Sequence, residues 1–127
     1  MRKKILVVDD EKSIRDMLSA AFTKEGYEVQ LAENAEKALK IVKETGVHVM
    51  FFDLKMPGMN GLELCRKIKT DRPMAIIHAV TGFVSLFELA DCREAGFEDY
   101  FTKPVNIEQL YRAADIAFEK IERWKKR

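Results

Sequence analysis

The strongest constraint on the fold of this chain is the regular alternation of short apolar runs with longer amphipathic stretches. Five runs of strand length occupy residues 4–9, 28–32, 48–53, 74–81 and 98–101. A helical pattern follows each of them, which predicts parallel strands joined by right-handed crossovers. The run from Ile5 to Val8 is apolar throughout, as is typical of strands covered on both faces. We therefore predict a doubly wound α/β fold with five parallel strands and five helices.

The helical stretches carry their own start and stop signals. One apolar stripe marks the inward face of the first helix: Ile14, Met17, Leu18, Ala21 and Phe22. Asn34 is expected to cap the second helix, the third follows Asn60-Gly61, the fourth runs from Ser85 to Ala95, and the fifth starts at Asn106. Glycine is expected to stop three helices, at Gly26, Gly46 and Gly96. Gln109 follows Asn106 at the spacing of a capping box.

Length and charge exclude several classes of protein. A chain of 127 residues accommodates one domain of ordinary size. Its 22 basic and 21 acidic residues argue against a protein whose main role is to coat nucleic acid. No apolar run is long enough to span a bilayer, and the short basic N-terminus does not fit a signal peptide. Cys65 and Cys92 lack CxxC spacing and are expected to be reduced thiols in a cytoplasmic protein. The alternative is a disulfide bond between them.

Polar side chains end four of the five predicted strands. Asp9 and Asp10 follow the first strand, Asp53 the third and Thr81 the fourth, while Lys103 lies just beyond the fifth. Ligands of open parallel sheets bind outside the carboxyl ends of the strands, so these side chains are expected to meet at one edge. Asp9 or Asp10 taken alone could equally be a helix N-cap. Polar residues at the ends of four strands, however, favour a binding or catalytic site at this edge.

This set of side chains fits magnesium-dependent phosphoryl chemistry. Three close carboxylates repel one another unless a cation neutralises them, and Mg²⁺ binds through one or two carboxylates plus phosphate oxygens. A carboxylate can also act as a nucleophile and form an aspartyl phosphate. A nearby lysine and hydroxyl would then stabilise the charge of the phosphoryl group.

Four motifs carry a resemblance to a known family. They are Val7-Val8-Asp9-Asp10-Glu11, the segment of residues 52–61 from Phe52-Asp53 to Asn60-Gly61, Val80-Thr81-Gly82, and Tyr100-Phe101-Thr102-Lys103-Pro104. In this order and spacing they resemble the receiver domain of two-component response regulators. The resemblance covers the whole chain and implies a flavodoxin-like sheet with strand order 2-1-3-4-5.

The resemblance also implies a role for each matching position. Asp53 would accept the phosphoryl group, and Asp9, Asp10 and Asp53 would hold Mg²⁺ together with the backbone carbonyl of Lys55. Thr81 and Lys103 would bind the phosphoryl oxygens. Tyr100 would change rotamer with Thr81, although it could also be an ordinary core or surface aromatic. The Lys103-Pro104 peptide would be cis.

The function implied by the resemblance is a signalling switch. A histidine kinase or phosphotransfer protein would phosphorylate the domain, which would catalyse only its own phosphorylation and dephosphorylation. The altered surface would lie at residues 85–120 and would contact a downstream protein or a missing effector domain, with no membrane and no nucleic acid expected as partners. Two alternatives stay open: a phosphatase like the haloacid dehalogenases, to which residues 9–12 fit poorly, and a pseudo-receiver that works without phosphate.

Several further positions extend these expectations. The domain is expected to cover residues 1–122, with a short basic tail at 123–127 that could be a helix end, a linker remnant or a docking surface. Lys55 and Phe83 lie two residues beyond Asp53 and Thr81, where the family varies, and we hypothesise that they slow hydrolysis of the phosphoryl group. His78, inside an apolar strand, is expected to be neutral and hydrogen-bonded.

Overall fold

The strands of this chain form a single parallel sheet with helices on both faces. The computed structural model describes residues 3–82 and 85–126. Its strands are β1 (Lys4–Val8), β2 (Glu28–Ala32), β3 (Val49–Phe52), β4 (Ile76–Thr81) and β5 (Asp99–Thr102). Its helices are α1 (Lys12–Lys24), α2 (Ala35–Thr45), α3 (Gly61–Asp71), α4 (Leu86–Ala95) and α5 (Ile107–Lys125). The strand order is β2-β1-β3-β4-β5, which confirms the predicted fold.

Two apolar clusters, one on each face of the sheet, make up the core. Leu6 and Val8 point to the face that α2, α3 and α4 cover, while Ile5 and Val7 point to the face of α1 and α5. All four residues are at most 1% exposed. Because successive side chains of a strand point to opposite faces, a strand buried on both sides must be apolar at every position. This explains the continuous apolar runs.

Side-chain caps open four of the helices, which confirms the caps predicted at Asn34 and Asn106 and adds two at Asn60 and Ser85. Asn34, Asn60, Ser85 and Asn106 each accept a hydrogen bond from the backbone N–H three residues further on. The two-way capping box forms at Ser85 and Glu88, at the start of α4. At α5, Asn106 accepts from the N–H of Gln109, but the described residues show no return bond from the Gln109 side chain, so the capping box predicted there is only half formed. These bonds satisfy N–H groups that a helix leaves without a partner in its first turn.

The structure corrects some details of the sequence prediction. Met17 was expected on the inward face of α1 but is 38% exposed, because the buried strip of this helix is narrower and contains Leu18 and Phe22. Met74 precedes β4 and is 48% exposed. The last helix continues through Lys125 and so includes part of the segment predicted as a tail. In the described part of the chain, no helix is both long and apolar enough to cross a membrane.

Candidate functional site

Strand register places the acidic residues side by side at the carboxyl edge of the sheet. Val8 in β1 pairs with Phe52 in β3, so the residues that follow them, Asp9 and Asp53, are neighbours. The N–H of Asp53 donates to the carbonyl of Val8 at 2.9 Å. Carboxylate oxygens of Asp9, Asp10, Glu11 and Asp53 all lie within 4.8 Å of one another. The predicted cluster of three acids is therefore a cluster of four.

Lys103 reaches into this cluster from the other side. Its backbone N–H donates to the carbonyl of Thr81 at 2.6 Å, which ties the segment after β5 to the end of β4. Its Nζ lies 3.0 Å from Oδ2 of Asp9, 3.3 Å from Oδ2 of Asp53 and 3.3 Å from Oε1 of Glu11. One ammonium thus forms ion pairs with three carboxylates.

Burial and charge act in opposite directions on these groups. Asp9 and Asp53 are 2% and 6% exposed, whereas Asp10 and Glu11 are exposed. Burial raises the pKa of Asp9, and the N–H of Glu11 and the ammonium of Lys103 offset part of that increase. For Lys103, burial alone would lower the pKa, but the hydrogen bonds and charges of Asp9 and Asp53 outweigh it and raise the pKa to about 12. The lysine therefore stays charged and neutralises part of the cluster.

The loop after β3 holds the Asp53 carboxylate in place. The N–H of Lys55 donates to Oδ1 of Asp53 at 3.2 Å, and Oδ2 faces Lys103. Gly61, the first residue of α3, packs directly against this loop and donates its N–H to the carbonyl of Leu54 at 3.0 Å. A Cβ at Gly61 would lie 2.3 Å from the backbone oxygen of Asp53. Reasoning from sequence treated Asn60-Gly61 as turn residues and missed this close approach.

The other predicted residues lie around the same edge. Thr81 ends β4 and is 1% exposed, and the side chain of Lys55 points to solvent. Tyr100, on the edge strand β5, pairs with Ala79 and is 37% exposed. The peptide bond between Lys103 and Pro104 is cis. The predicted position Phe83 lies outside the described residues.

Glu11 is the residue of the cluster that sequence reasoning did not select. Its N–H donates to Oδ1 of Asp9 at 2.9 Å. Because α1 begins at Lys12 with Glu11 in the N-cap position, neither Asp9 nor Asp10 is the N-cap of this helix. The sequence signal for Glu11 was a third consecutive acidic residue after β1. Acidic residues are common near the start of any helix, because they interact favourably with the helix dipole, so this signal alone does not indicate a site.

The donor set fits a hard divalent cation. All four members of the cluster offer carboxylate oxygens, which Mg²⁺ prefers, and two of the four are buried at the sheet edge. Burial and the nearby charge of Asp53 both disfavour the ionised form of Asp9. A bound cation would stabilise that ionised form. The exposed positions leave room for the water molecules that Mg²⁺ usually keeps.

Comparisons with known proteins agree with this geometry. The family model described as response regulator receiver domain matches residues 5–115. Sporulation initiation phosphotransferase F of Bacillus subtilis (strain 168) is 34% identical over 110 residues, which are 87% of this chain and 89% of that protein. The crystal structure of a CheY-like response regulator receiver domain protein from Methanospirillum hungatei JF-1 superposes with a TM-score of 0.92 at 33% identity. It covers 97% of this chain and 98% of its own.

A further relative shows the same similarity inside a longer protein. The cyclic di-GMP phosphodiesterase of Thermotoga maritima is 35% identical over 106 residues, which are 84% of this chain but 28% of that protein. The similarity therefore concerns one part of that enzyme, and it carries no phosphodiesterase activity over to this chain.

Proposed function

The chain belongs to the response regulator receiver domain family, and from that premise we propose that Asp53 is its phosphoacceptor. The observation that carries the proposal is the position of this carboxylate. It is buried at the end of β3, lies in one cluster with Asp9 and Asp10, and has Oδ2 at 3.3 Å from Nζ of Lys103. A nucleophilic carboxylate beside a cation site and a charged lysine is the arrangement that phosphoryl transfer to aspartate needs.

Mg²⁺ is the cofactor of this proposal. The carboxylates of Asp9, Asp10 and Asp53 and the backbone carbonyl of Lys55 would hold it. When bound, Mg²⁺ supplies positive charge that neutralises the carboxylates and polarises the phosphoryl oxygens. The four clustered carboxylates support this assignment.

The transfer step would use the carboxylate of Asp53 as the nucleophile. Oδ1 of Asp53 accepts the N–H of Lys55 and Oδ2 is paired with Lys103, so Oδ2 would attack phosphorus as Lys103 moves to the phosphoryl group. A bond forms between this oxygen and phosphorus as the bond from phosphorus to the donor breaks, and the donor leaves with that electron pair. Lys103 then exchanges a carboxylate partner for a phosphoryl oxygen, and the hydroxyl of Thr81 donates to another.

The signal would pass from the phosphoryl group through Thr81 and Tyr100. Phosphorylation adds about −1.5 to −2 charge units and three acceptor oxygens, which favours a conformation in which Thr81 and Lys103 both bind the phosphoryl oxygens. Tyr100 is exposed in the present structure and would turn inward in the active form. A differential stabilisation of roughly 3 to 5 kcal/mol makes a minor active state dominant. The surface that changes would be formed by α4, β5 and α5.

The proposed partners are a histidine kinase or phosphotransfer protein as donor, and a downstream protein or an attached effector domain as target. The free, buried Cys65 and Cys92 support a cytoplasmic location. The near balance of basic and acidic residues supports a protein target rather than nucleic acid.

The domain would act only on its own phosphoryl group. The phosphatase alternative is not favoured, because the family match spans residues 5–115, and the complete set of site residues speaks against a pseudo-receiver.

Incubation with acetyl phosphate tests this proposal. We expect the wild-type chain to be phosphorylated in the presence of Mg²⁺, with labelling lost on addition of EDTA. Intact-mass spectrometry would show one added phosphoryl group, and reductive trapping would locate it at Asp53. The Asp53→Asn variant should remain unlabelled, because the amide is not a nucleophile. Magnesium-dependent labelling of Asp53→Asn at another residue would refute the assignment.

A second expectation concerns the lifetime of the phosphoryl group. Lys55 is exposed beside Asp53, and its ammonium would shield the acyl phosphate from water. Lys55→Ala should therefore hydrolyse several-fold faster than wild type, measured as loss of the phosphorylated species after removal of acetyl phosphate. Lys67→Ala, at an exposed position on α3, serves as the matched control. Rapid hydrolysis in the wild type that Lys55→Ala leaves unchanged would contradict the hypothesis.

A further inference from the structure

Glu11 stands apart from the other acidic residues of the site. Its carboxylate is the third partner of Lys103, with Oε1 at 3.3 Å from Nζ, but its side chain is 57% exposed while those of Asp9 and Asp53 are 3% and 7% exposed. It therefore lies on the solvent side of the cluster, while the two aspartates lie on its buried side.

The local structure of α1 does not explain this glutamate. Glu11 occupies the N-cap position, yet its side chain makes no capping hydrogen bond. A shorter Ser, Thr, Asp or Asn is the usual choice at that position. The backbone N–H of Glu11 is bound to Oδ1 of Asp9, and the side chain extends to Lys103, 92 residues further along the chain. The side-chain contact of Glu11 thus belongs to the site, while its backbone carbonyl accepts the N–H of Arg15 in α1.

The charge of Glu11 alters the balance of the pocket. Lys103 and a divalent cation together carry as much positive charge as the three aspartates carry negative charge when they are ionised. The carboxylate of Glu11, within 4.8 Å of the others, adds a fourth negative charge, which the guanidinium of Arg15, bonded to the carbonyl of Asp9 at 2.8 Å, offsets in part from outside the cluster. A pocket with a residual negative charge attracts cations more strongly and repels incoming anions.

We propose that Glu11 is a selectivity residue of this pocket, which strengthens the binding of divalent cations and slows phosphorylation of Asp53 by small anionic acyl phosphates. The inference rests on the proposed function of Asp53. A protein donor would be less affected, because contacts elsewhere on its surface can offset the repulsion that a small free anion meets alone.

The expected effects follow from Coulomb's law at high dielectric. For a divalent cation about 5 Å from an exposed carboxylate, removing the charge should weaken binding by roughly three- to tenfold at low ionic strength. The rate with acetyl phosphate at saturating Mg²⁺ should rise by a similar factor, because the donor is also divalent at neutral pH. Both effects should shrink as added salt screens the charges.

Two substitutions at one position separate charge from contact. Glu11→Gln keeps the length and an acceptor oxygen for Lys103 but removes the charge. Glu11→Asp keeps the charge but shortens the side chain away from Lys103. Glu33→Gln is the matched control: Glu33 follows β2 at the same edge of the sheet, is 48% exposed, and is paired with Lys37 rather than with the cluster. Calorimetry gives the affinity for Mg²⁺, and initial rates with acetyl phosphate give the second readout.

We expect Glu11→Gln to bind Mg²⁺ more weakly and to react faster with acetyl phosphate, while Glu11→Asp and Glu33→Gln remain near wild type in both. Unchanged affinity and rate in Glu11→Gln would overturn the inference. Equal changes in Glu11→Asp and Glu11→Gln would also overturn it, because the contact with Lys103 would then be responsible. Failure of the proposed function gives a different result, in which the wild-type chain itself is not phosphorylated at Asp53.

Discussion

Replacement of Gly61 by alanine should destabilise the domain by about 2 kcal/mol and should weaken its affinity for Mg²⁺. The added Cβ would lie 2.3 Å from the backbone oxygen of Asp53 and 2.9 Å from Cα of Leu54. Both contacts are far inside van der Waals distance. Because both atoms belong to the backbone, neither can rotate away as the end of a flexible side chain could.

The cost would therefore appear as a movement of the loop that holds Asp53. Alanine favours a helix over glycine by about 0.5 to 1 kcal/mol, and this gain is smaller than the expected strain. Displacing the start of α3 would weaken the hydrogen bond from Gly61 N–H to the carbonyl of Leu54. It would also shift the carboxylate of Asp53 relative to Asp9, so stability and cation binding should decline together.

Urea unfolding followed by circular dichroism gives the change in stability, and calorimetry gives the affinity for Mg²⁺. Gly82→Ala is the matched control, since a Cβ at Gly82 would meet no heavy atom of the described residues within 4 Å. We expect this control to be within about 0.5 kcal/mol of wild type. A Gly61→Ala variant as stable as wild type, with unchanged Mg²⁺ affinity, would show that the loop accommodates the methyl group freely.

The architecture was predictable from the sequence because burial on both faces leaves a plain signal. Every residue of β3 is buried, so the strand had to be apolar throughout, and the helices between such strands had to cover the sheet. The ends of β2 match the prediction, and the ends of the other strands differ from it by at most two residues. The strand order came from family resemblance rather than from the alternation, since alternation alone does not say which strands are neighbours.

The details of the site were less predictable because they depend on how distant segments meet. Asp9 and Asp53 could be placed at one edge, since parallel strands deliver their carboxyl ends together. The pairing of Glu11 with Lys103 depends on a side-chain direction that no local pattern encodes. The closeness of Gly61 to Asp53 likewise results from the packing of α3 against the loop after β3, and a glycine after asparagine also fits an ordinary turn.

His78 should make the domain lose about 3 kcal/mol of stability between pH 6.5 and pH 4. The ring is 2% exposed and stacks on Phe51, with centroids 4.6 Å apart and planes at 17°. Nδ1 lies 3.2 Å from the carbonyl of Met50, so the neutral ring donates Nδ1–H to it. Burial lowers the pKa of His78 from about 6.5 to about 4, and the hydrogen bond to Met50 offsets only part of the decrease.

The sign follows from comparing the folded and unfolded states. The unfolded chain takes up a proton at His78 near pH 6.5, while the folded chain does so only near pH 4. The contribution of His78 is therefore complete above pH 6.5 and is lost as pH falls towards 4. Glu98 and Asp99 favour the charged ring and Lys120 opposes it, but these charges are smaller influences than burial.

Urea unfolding of the wild type and of His78→Val at several pH values would measure this contribution. The difference between their free energies of unfolding should change by about 3 kcal/mol from pH 6.5 to pH 4, whatever its value at neutral pH. The free energy of unfolding of the variant is subtracted from that of the wild type at each pH, because other groups also titrate in this range and their contributions cancel in the difference. His48→Gln is the control, since His48 is far more exposed than His78, and partial desolvation together with Arg72 and Lys125 lowers its pKa less strongly. A pH profile for His78→Val parallel to that of the wild type would mean that the buried ring takes up its proton in the folded state as readily as in the unfolded chain.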